Sequence, residues 1–198
     1  MSQHPHRPLC RTTTTPSGSR RTSQFGDSPR LTAMKTLFSL EEVDMDFLAA
    51  APYRYEFITE LPAQIDDVWA GLAGDAPLSW CKLVKDARYT TERPFGPGTI
   101  RQLTVMPGLV TVEEKFFLWD ETPGERYEHA FSVVKSSAPG LKRFGEATLL
   151  EATESGTRLT WTFGIEPQLP LRPALPLANP ALRQGFKSLV TDTEKYYA

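Results

Sequence analysis

Residues Thr99 to Val134 constrain the fold of this 198-residue chain more than any other stretch, because they read as two β-hairpins sharing a strand. Met106-Pro-Gly-Leu109 is a turn signal: proline presets one backbone dihedral and glycine tolerates the next. Pairing across it sets Val105 opposite Val110, Leu103 opposite Val112 and Arg101 opposite Glu114. All six share one side of the pleat, since side chains alternate with period two. The second turn, Glu121-Thr-Pro-Gly-Glu125, sets Leu118 opposite Tyr127, Phe116 opposite His129, Glu114 opposite Phe131 and Val112 opposite Val133. Both hairpins therefore present one apolar face, interrupted by Arg101, Glu114 and His129. Phe117 and Trp119 fall on the other face. That placement calls for a bulge, a cover from the segment around Val43, or a contact with another chain.

The rest of the chain supplies what this sheet needs. Tyr53 to Leu61 alternates as a first strand and ends at Pro62. Ala63 to Ala73 carries Ile65, Val68, Trp69 and Leu72 on a helical stripe, and Leu78 to Leu83, with Trp80, reads as a second short helix. Val84 to Thr91 can form a strand. Arg143 to Ala152 and Thr157 to Ile165 form a last hairpin with Leu159, Trp161 and Phe163 inward. For its first strand, either Glu146, Thr148 and Leu150 or Ala147 and Leu149 face the same way. Pro167, Pro170, Pro173 and Pro176 recur every third residue and predict a polyproline II crossover, or a ligand for a proline-recognition domain. Asn179 with Pro180 then predicts a helix start, followed by an amphipathic face of Leu182, Phe186, Leu189, Val190, Thr193 and Tyr197.

Three segments follow from this order. Residues 53–198 form the main domain. Residues 34–52 form an extra N-terminal helix and linker, with Ser39-Leu-Glu-Glu42 as a capping box and Leu40, Val43 and Phe47 on one face. Residues 1–33 are rich in Thr, Ser, Pro and Arg and have little to bury, so a disordered basic tail is expected. Met34 as the true start, or a transit-peptide-like role, are the alternatives there. The chain carries a net charge of −2 and residues 1–35 carry +5, which leaves −7 for the rest. An acidic body argues against nucleic acid as a partner. Two cysteines, Cys10 and Cys81, fit a reducing, cytoplasmic setting. No apolar run is long enough to span a bilayer.

An antiparallel sheet with one apolar face must be covered, and the final helix is the element long enough to cover it. The predicted fold is α+β: a curved seven-stranded antiparallel sheet wrapped around a long C-terminal helix, with two short helices between strands 1 and 2. At this point the chain resembles the START-like (SRPBCC) helix-grip superfamily, and within it the bacterial polyketide cyclase/dehydrase-like group. The resemblance rests on Ile65-Asp-Asp-Val-Trp69, Trp80, Gly98-Thr-Ile-Arg101 and Glu114 followed by Trp119-Asp120. Arg126-Tyr127 and Gly156-Thr-Arg-Leu-Thr-Trp161 complete it. It covers about Tyr53 to Ala198.

What the resemblance implies is a cavity between sheet and C-terminal helix that binds an apolar small molecule such as a lipid or polyketide. Its expected wall is Tyr55, Phe57, Trp80, Leu103, Val112, Phe116, Tyr127, Phe131, Trp161, Phe163, Leu182 and Phe186. Arg101 and Glu114 are either a structural ion pair or a carbonyl- or carboxylate-binding guanidinium held by its carboxylate. His129 is either a core histidine or a general acid or base tuned by Glu114. A carrier, a cyclase, aromatase or dehydratase using His129 and Arg101, and a regulatory or chaperone-like adaptor are the competing functions. No cofactor, metal site, phosphate loop or nucleophile triad is expected, and the chain is expected to be a monomer or homodimer.

Overall fold

The computed structural model of the protein describes residues 36–105, 110–173 and 175–198. The expected tail over 1–33 and the turn at Met106–Leu109 lie outside them. The elements run β1 (Phe38–Ser39), α1 (Met45–Ala50), β2 (Tyr53–Leu61), α2 (Ile65–Ala73), β3 (Val84–Tyr89) and β4 (Ile100–Val105). Then come β5 (Val110–Thr122), β6 (Arg126–Ser136), β7 (Leu141–Thr153), β8 (Gly156–Pro167), a 3₁₀ turn at Leu169–Leu171 and α3 (Leu175–Tyr196). Seven strands form one antiparallel path in the order β2-β8-β7-β6-β5-β4-β3, and β1 adds an eighth against β6. None of the described helices is long and apolar enough to cross a membrane.

The N-terminal addition differs from the expected helix and linker over residues 34–52 with its capping box at Ser39. β7 leaves β6 beyond the Ser132–Gly145 pair. That vacated ladder is taken by Phe38 and Ser39 opposite Ser136 and Lys135, with the Leu40 amide donating to the Val134 carbonyl at 2.9 Å. An open row of backbone partners outcompetes a capping box at Ser39, and the helix begins only after Asp44, whose carboxylate accepts from the Phe47 amide. α1 then lays Phe47 and Leu48 on the outer sheet face, joined there by Val43, Ala130, Ala147, Phe117 and Leu118. Gly145 and Gly164 sit opposite one another beneath it. A Cβ on Gly145 would come within 2.4 Å of Val43, and one on Gly164 within 3.1 Å of Leu48.

Two further expectations change. Residues 78–83 form turns rather than a second helix, with the Cys81 amide bonded to the Leu78 carbonyl and the Val84 amide to that of Cys81. Leu78 itself has φ +58°, which no helix tolerates. In place of a polyproline II crossover and an N-cap at Asn179, the helix begins at Leu175 and runs through Pro180. Pro176 falls in the first turn, where its missing N–H has no intrahelical partner to lose. Pro180 forfeits one bond at an exposed position. The Asn179 side chain instead accepts from the Tyr55 hydroxyl at 2.6 Å.

The predicted stripe on α3 holds. Val190 and Thr193 are buried, and Leu182, Phe186, Leu189 and Tyr197 pack on the main core with Tyr55, Trp161 and Phe163. Phe186 stacks on Phe163 at 4.2 Å. Two cross-ties add to this: Thr59 donates to Glu194 at 2.7 Å, and the Trp80 indole donates to Thr193 at 3.0 Å.

Candidate functional site

The β4–β5 register matches the sequence prediction residue for residue: Val105–Val110, Leu103–Val112 and Arg101–Glu114. The β5–β6 register does not. Thr122 pairs with Arg126, so the loop centres on Gly124, which adopts φ +77°, a left-handed conformation that glycine reaches at no steric cost. Bulges near Glu113–Glu114 and at Phe117 shift the ladder locally, and Val112 ends opposite Ser136 rather than Val133. Glu114 now faces Val133, Phe116 faces Phe131 and Trp119 faces His129. Trp119 therefore turns inward, while Phe117 and Leu118 pack under α1. Two of the three explanations open for Phe117 and Trp119 apply together, a bulge and a cover.

Three rows of opposed side chains result on the inner face. One is Tyr89–Arg101–Glu114–Val133. The next is Phe116–Phe131–Glu146–Phe163–Tyr55, and the third is Trp119–His129–Thr148–Trp161–Phe57. The two-residue loop Glu154-Ser155 sets Leu159 against Leu150, which resolves the open choice in favour of Glu146, Thr148 and Leu150 inside. Ala147 is buried as well, under α1 on the outer face.

The polar members are almost entirely removed from solvent. Arg101, Glu114, His129, Glu146 and Thr148 are all buried. Arg101 Nε donates to Glu114 Oε2 at 2.6 Å, and its guanidinium lies 5.1 Å from both the Phe116 and Phe131 ring centres. Burial alone would depress the guanidinium. The Glu114 carboxylate more than offsets that, so Arg101 stays a cation. Glu146 accepts from the Trp161 indole at 2.6 Å. Burial, reinforced by the nearby Glu114 charge, raises its carboxyl to about 8. Glu146 is therefore a neutral acid at pH 7. His129 is pushed well below its usual value, by burial first and by the Arg101 charge second. It is a neutral imidazole, which corrects the expectation of a histidine tuned towards neutrality by Glu114.

Three buried polar atoms close no hydrogen bond among the described residues: Tyr89 Oη, which Arg101 approaches, Thr148 Oγ1, which Glu146 approaches, and His129 Nδ1, which no polar group approaches. Buried hydrogen-bonding groups are nearly always satisfied, so the His129 ring nitrogen above all needs a reason. An open recess lies beyond the indoles that pack on His129. A recess of about 560 Å³ is walled by Trp69, Ala70, Ala73 and Gly74 of α2 and its end, by Arg93, Pro94 and Phe95, and by Trp119 and Glu121. Trp69 and Trp119 back onto the His129 ring at 5.1 and 5.5 Å. Glu121 Oε1 accepts from both indoles, at 3.1 and 2.6 Å, so one carboxylate ties α2 to β5 across the opening. Phe95 stacks on Tyr89 at 4.0 Å.

None of the twelve residues expected to line the ligand cavity lines this recess. Tyr55, Tyr127, Trp161 and Phe163 are buried in the main core, with Phe57, Trp80, Leu182 and Phe186 against them. Leu103, Val112, Phe116 and Phe131 form a second buried cluster. Sequence reasoning placed Trp69 as a helix-stripe residue and Trp119 outside, and left Glu146 undecided. The Glu154-Ser155 turn was the signal that could have found Glu146. Among the described residues, no group of His, Cys, Asp and Glu side chains is arranged to hold a metal ion.

The family described as polyketide cyclase / dehydrase and lipid transport has a model that matches residues 56–197. The chain belongs to this polyketide cyclase/dehydrase family. An uncharacterised protein of Mycobacterium tuberculosis is 30% identical over 167 residues, spanning 82% of this chain and 97% of the relative. Its counterpart in Mycobacterium bovis matches equally well. Among solved structures, a START superfamily protein from Mycobacterium smegmatis aligns with TM-score 0.57 at 12% identity, over 73% of this chain and 96% of that one. The ginseng major latex-like protein 151 from Panax ginseng aligns with TM-score 0.53 at 15% identity and the same coverage. These likenesses establish the helix-grip fold for this family member. The family match stops short of β1 and α1, which are additions to the matched region.

Proposed function

We propose that the protein binds and carries an apolar small molecule, of the lipid or polyketide kind, that bears at least one oxygen function. The observation that carries this reading is the unsatisfied His129 Nδ1 in an aromatic interior, with Tyr89 Oη and Thr148 Oγ1 as further buried groups that close no hydrogen bond of their own. A ligand carbonyl, hydroxyl or carboxylate would satisfy them, and the surrounding rings would hold its apolar body. Arg101 is committed to Glu114 and supplies a fixed positive field nearby. The recess between α2 and Phe95 is the entrance, and the Glu121 tie between the two indoles is what must loosen to admit a ligand. Native mass spectrometry of the purified protein, with displacement of an apolar dye, tests this. A co-purifying mass is expected, together with weakened dye binding in Trp119→Ala. Absence of any ligand, with dye binding unchanged in that variant, would refute it.

One observation favours a second reading, a cyclase, aromatase or dehydratase: Glu146 is a buried neutral acid diagonally across the β6–β7 ladder from a neutral imidazole. Such a pair can move a proton at a carbonyl. His129→Gln separates the two readings. In an enzyme it should lower turnover by ~10²–10⁴-fold with little change in ligand affinity. In a carrier it should cost affinity alone, about 1 kcal/mol for one lost hydrogen bond.

A further inference from the structure

Residues 167–191, between Glu166 and Asp192, hold Arg172, Arg183 and Lys187 and no acidic side chain. The rest of residues 36–198 is strongly acidic, since that whole stretch carries a net −7 even with these three cations included. The same segment presents the two most exposed large apolar side chains among the described residues, Leu169 at 72% and Leu177 at 87%. Pro170, Pro173 and Pro176 are exposed between them. Arg183 and Lys187 are exposed too, and neither forms a salt bridge among the described residues.

We propose that this segment, from the end of β8 along α3 to Lys187, is a docking surface for an anionic membrane. Isolated leucines on a proline-broken segment offer far less than the ~800 Å² per partner of a stable protein interface. A lipid headgroup layer needs no such area: it accepts single apolar side chains, and its phosphates attract the flanking cations. The segment leaves β8 beyond the Leu141–Pro167 pair. The recess lies towards the other end of the strands, where Glu121 pairs with Tyr127 and Thr153 with Gly156. Docking would therefore hold the recess away from the lipid, and it is independent of the ligand reading.

Co-sedimentation of the full chain with vesicles tests this, using phosphatidylcholine alone and an equal mixture with phosphatidylglycerol. Binding to the anionic vesicles only is expected. The double variant Leu169→Ser with Leu177→Ser should lower that partition by about tenfold or more. Arg183→Gln and Lys187→Gln should each lower it ~5-fold. Residues 1–35 carry +5 and can add a purely ionic attraction, which none of these substitutions touches. An unchanged partition in the leucine variant, with an unchanged melting temperature showing it is folded, would overturn the proposal. So would equal binding to uncharged vesicles, or a concentration-dependent dimer in vesicle-free solution that the leucine substitutions abolish.

Discussion

At Glu146, the folded protein holds a proton up to about pH 8, whereas an unfolded chain releases it near 4.5. Rising pH through that window therefore favours the unfolded state, and the stability that Glu146 contributes in acid is lost. His129 acts with the opposite sign. Folded, it resists protonation well below 6.5, so stability falls as pH drops below that value. Glu146→Gln keeps an acceptor for Trp161 and removes the titration. Its melting temperature should rise relative to that of the wild type as pH goes from about 4.5 to 8, since the His129 contribution is common to both proteins. Parallel curves for the two proteins would mean that Glu146 is ionised throughout. The Arg101–Glu114 pair was legible in the sequence because alternation and a proline–glycine turn fixed its register. The surroundings of His129 were not, because the next loop centres on Gly124 rather than on Thr122 and Pro123, a choice of backbone conformation that composition does not encode.

Among the elements, α1 depends on what is missing beneath it. The paired Gly145 and Gly164 leave the space that Val43, Phe47 and Leu48 fill. Gly145→Ala should cost about 1–3 kcal/mol, the usual penalty for overpacking, measured by chemical denaturation. Gly164→Ala should cost less, since its nearest neighbours are 3.1 Å away rather than 2.4 Å. Adding Val43→Ala to the first variant should recover part of the loss, because the two residues are in contact. Additive effects would show that the segment is not seated there. The strands of this protein were legible because period-two alternation survives in a single sequence. The start of α1 was not, because the capping box at Ser39 competes with a ladder vacancy that appears only once β7 has diverged from β6.

In the whole molecule, the sheet closes on α3 chiefly through Phe186, whose ring meets Phe163 at 4.2 Å, Tyr55 at 5.3 Å and Phe144 at 6.1 Å. Phe186→Ala should destabilise the protein by somewhat less than the ~3–5 kcal/mol of a fully buried phenylalanine, since the ring is half-buried. A urea melt of unchanged slope would place that loss in the single cooperative fold, and no loss at all would mean that α3 does not close the sheet. The helix-grip architecture followed from element order and one apolar face. The recess did not, because it is assembled from α2, the 93–95 loop and a bulge-shifted Trp119, and no local pattern joins those three.

The four tryptophans are divided between two environments. Trp69 and Trp119 line the recess and share one carboxylate oxygen of Glu121, whereas Trp161 lies sealed against Glu146 and Trp80 against Tyr196 and Thr193. The protein thus carries its own optical reporters. A molecule entering the recess would alter the emission of one indole pair, and ionisation of Glu146 would alter that of Trp161, so occupancy and protonation can be read separately in unlabelled protein.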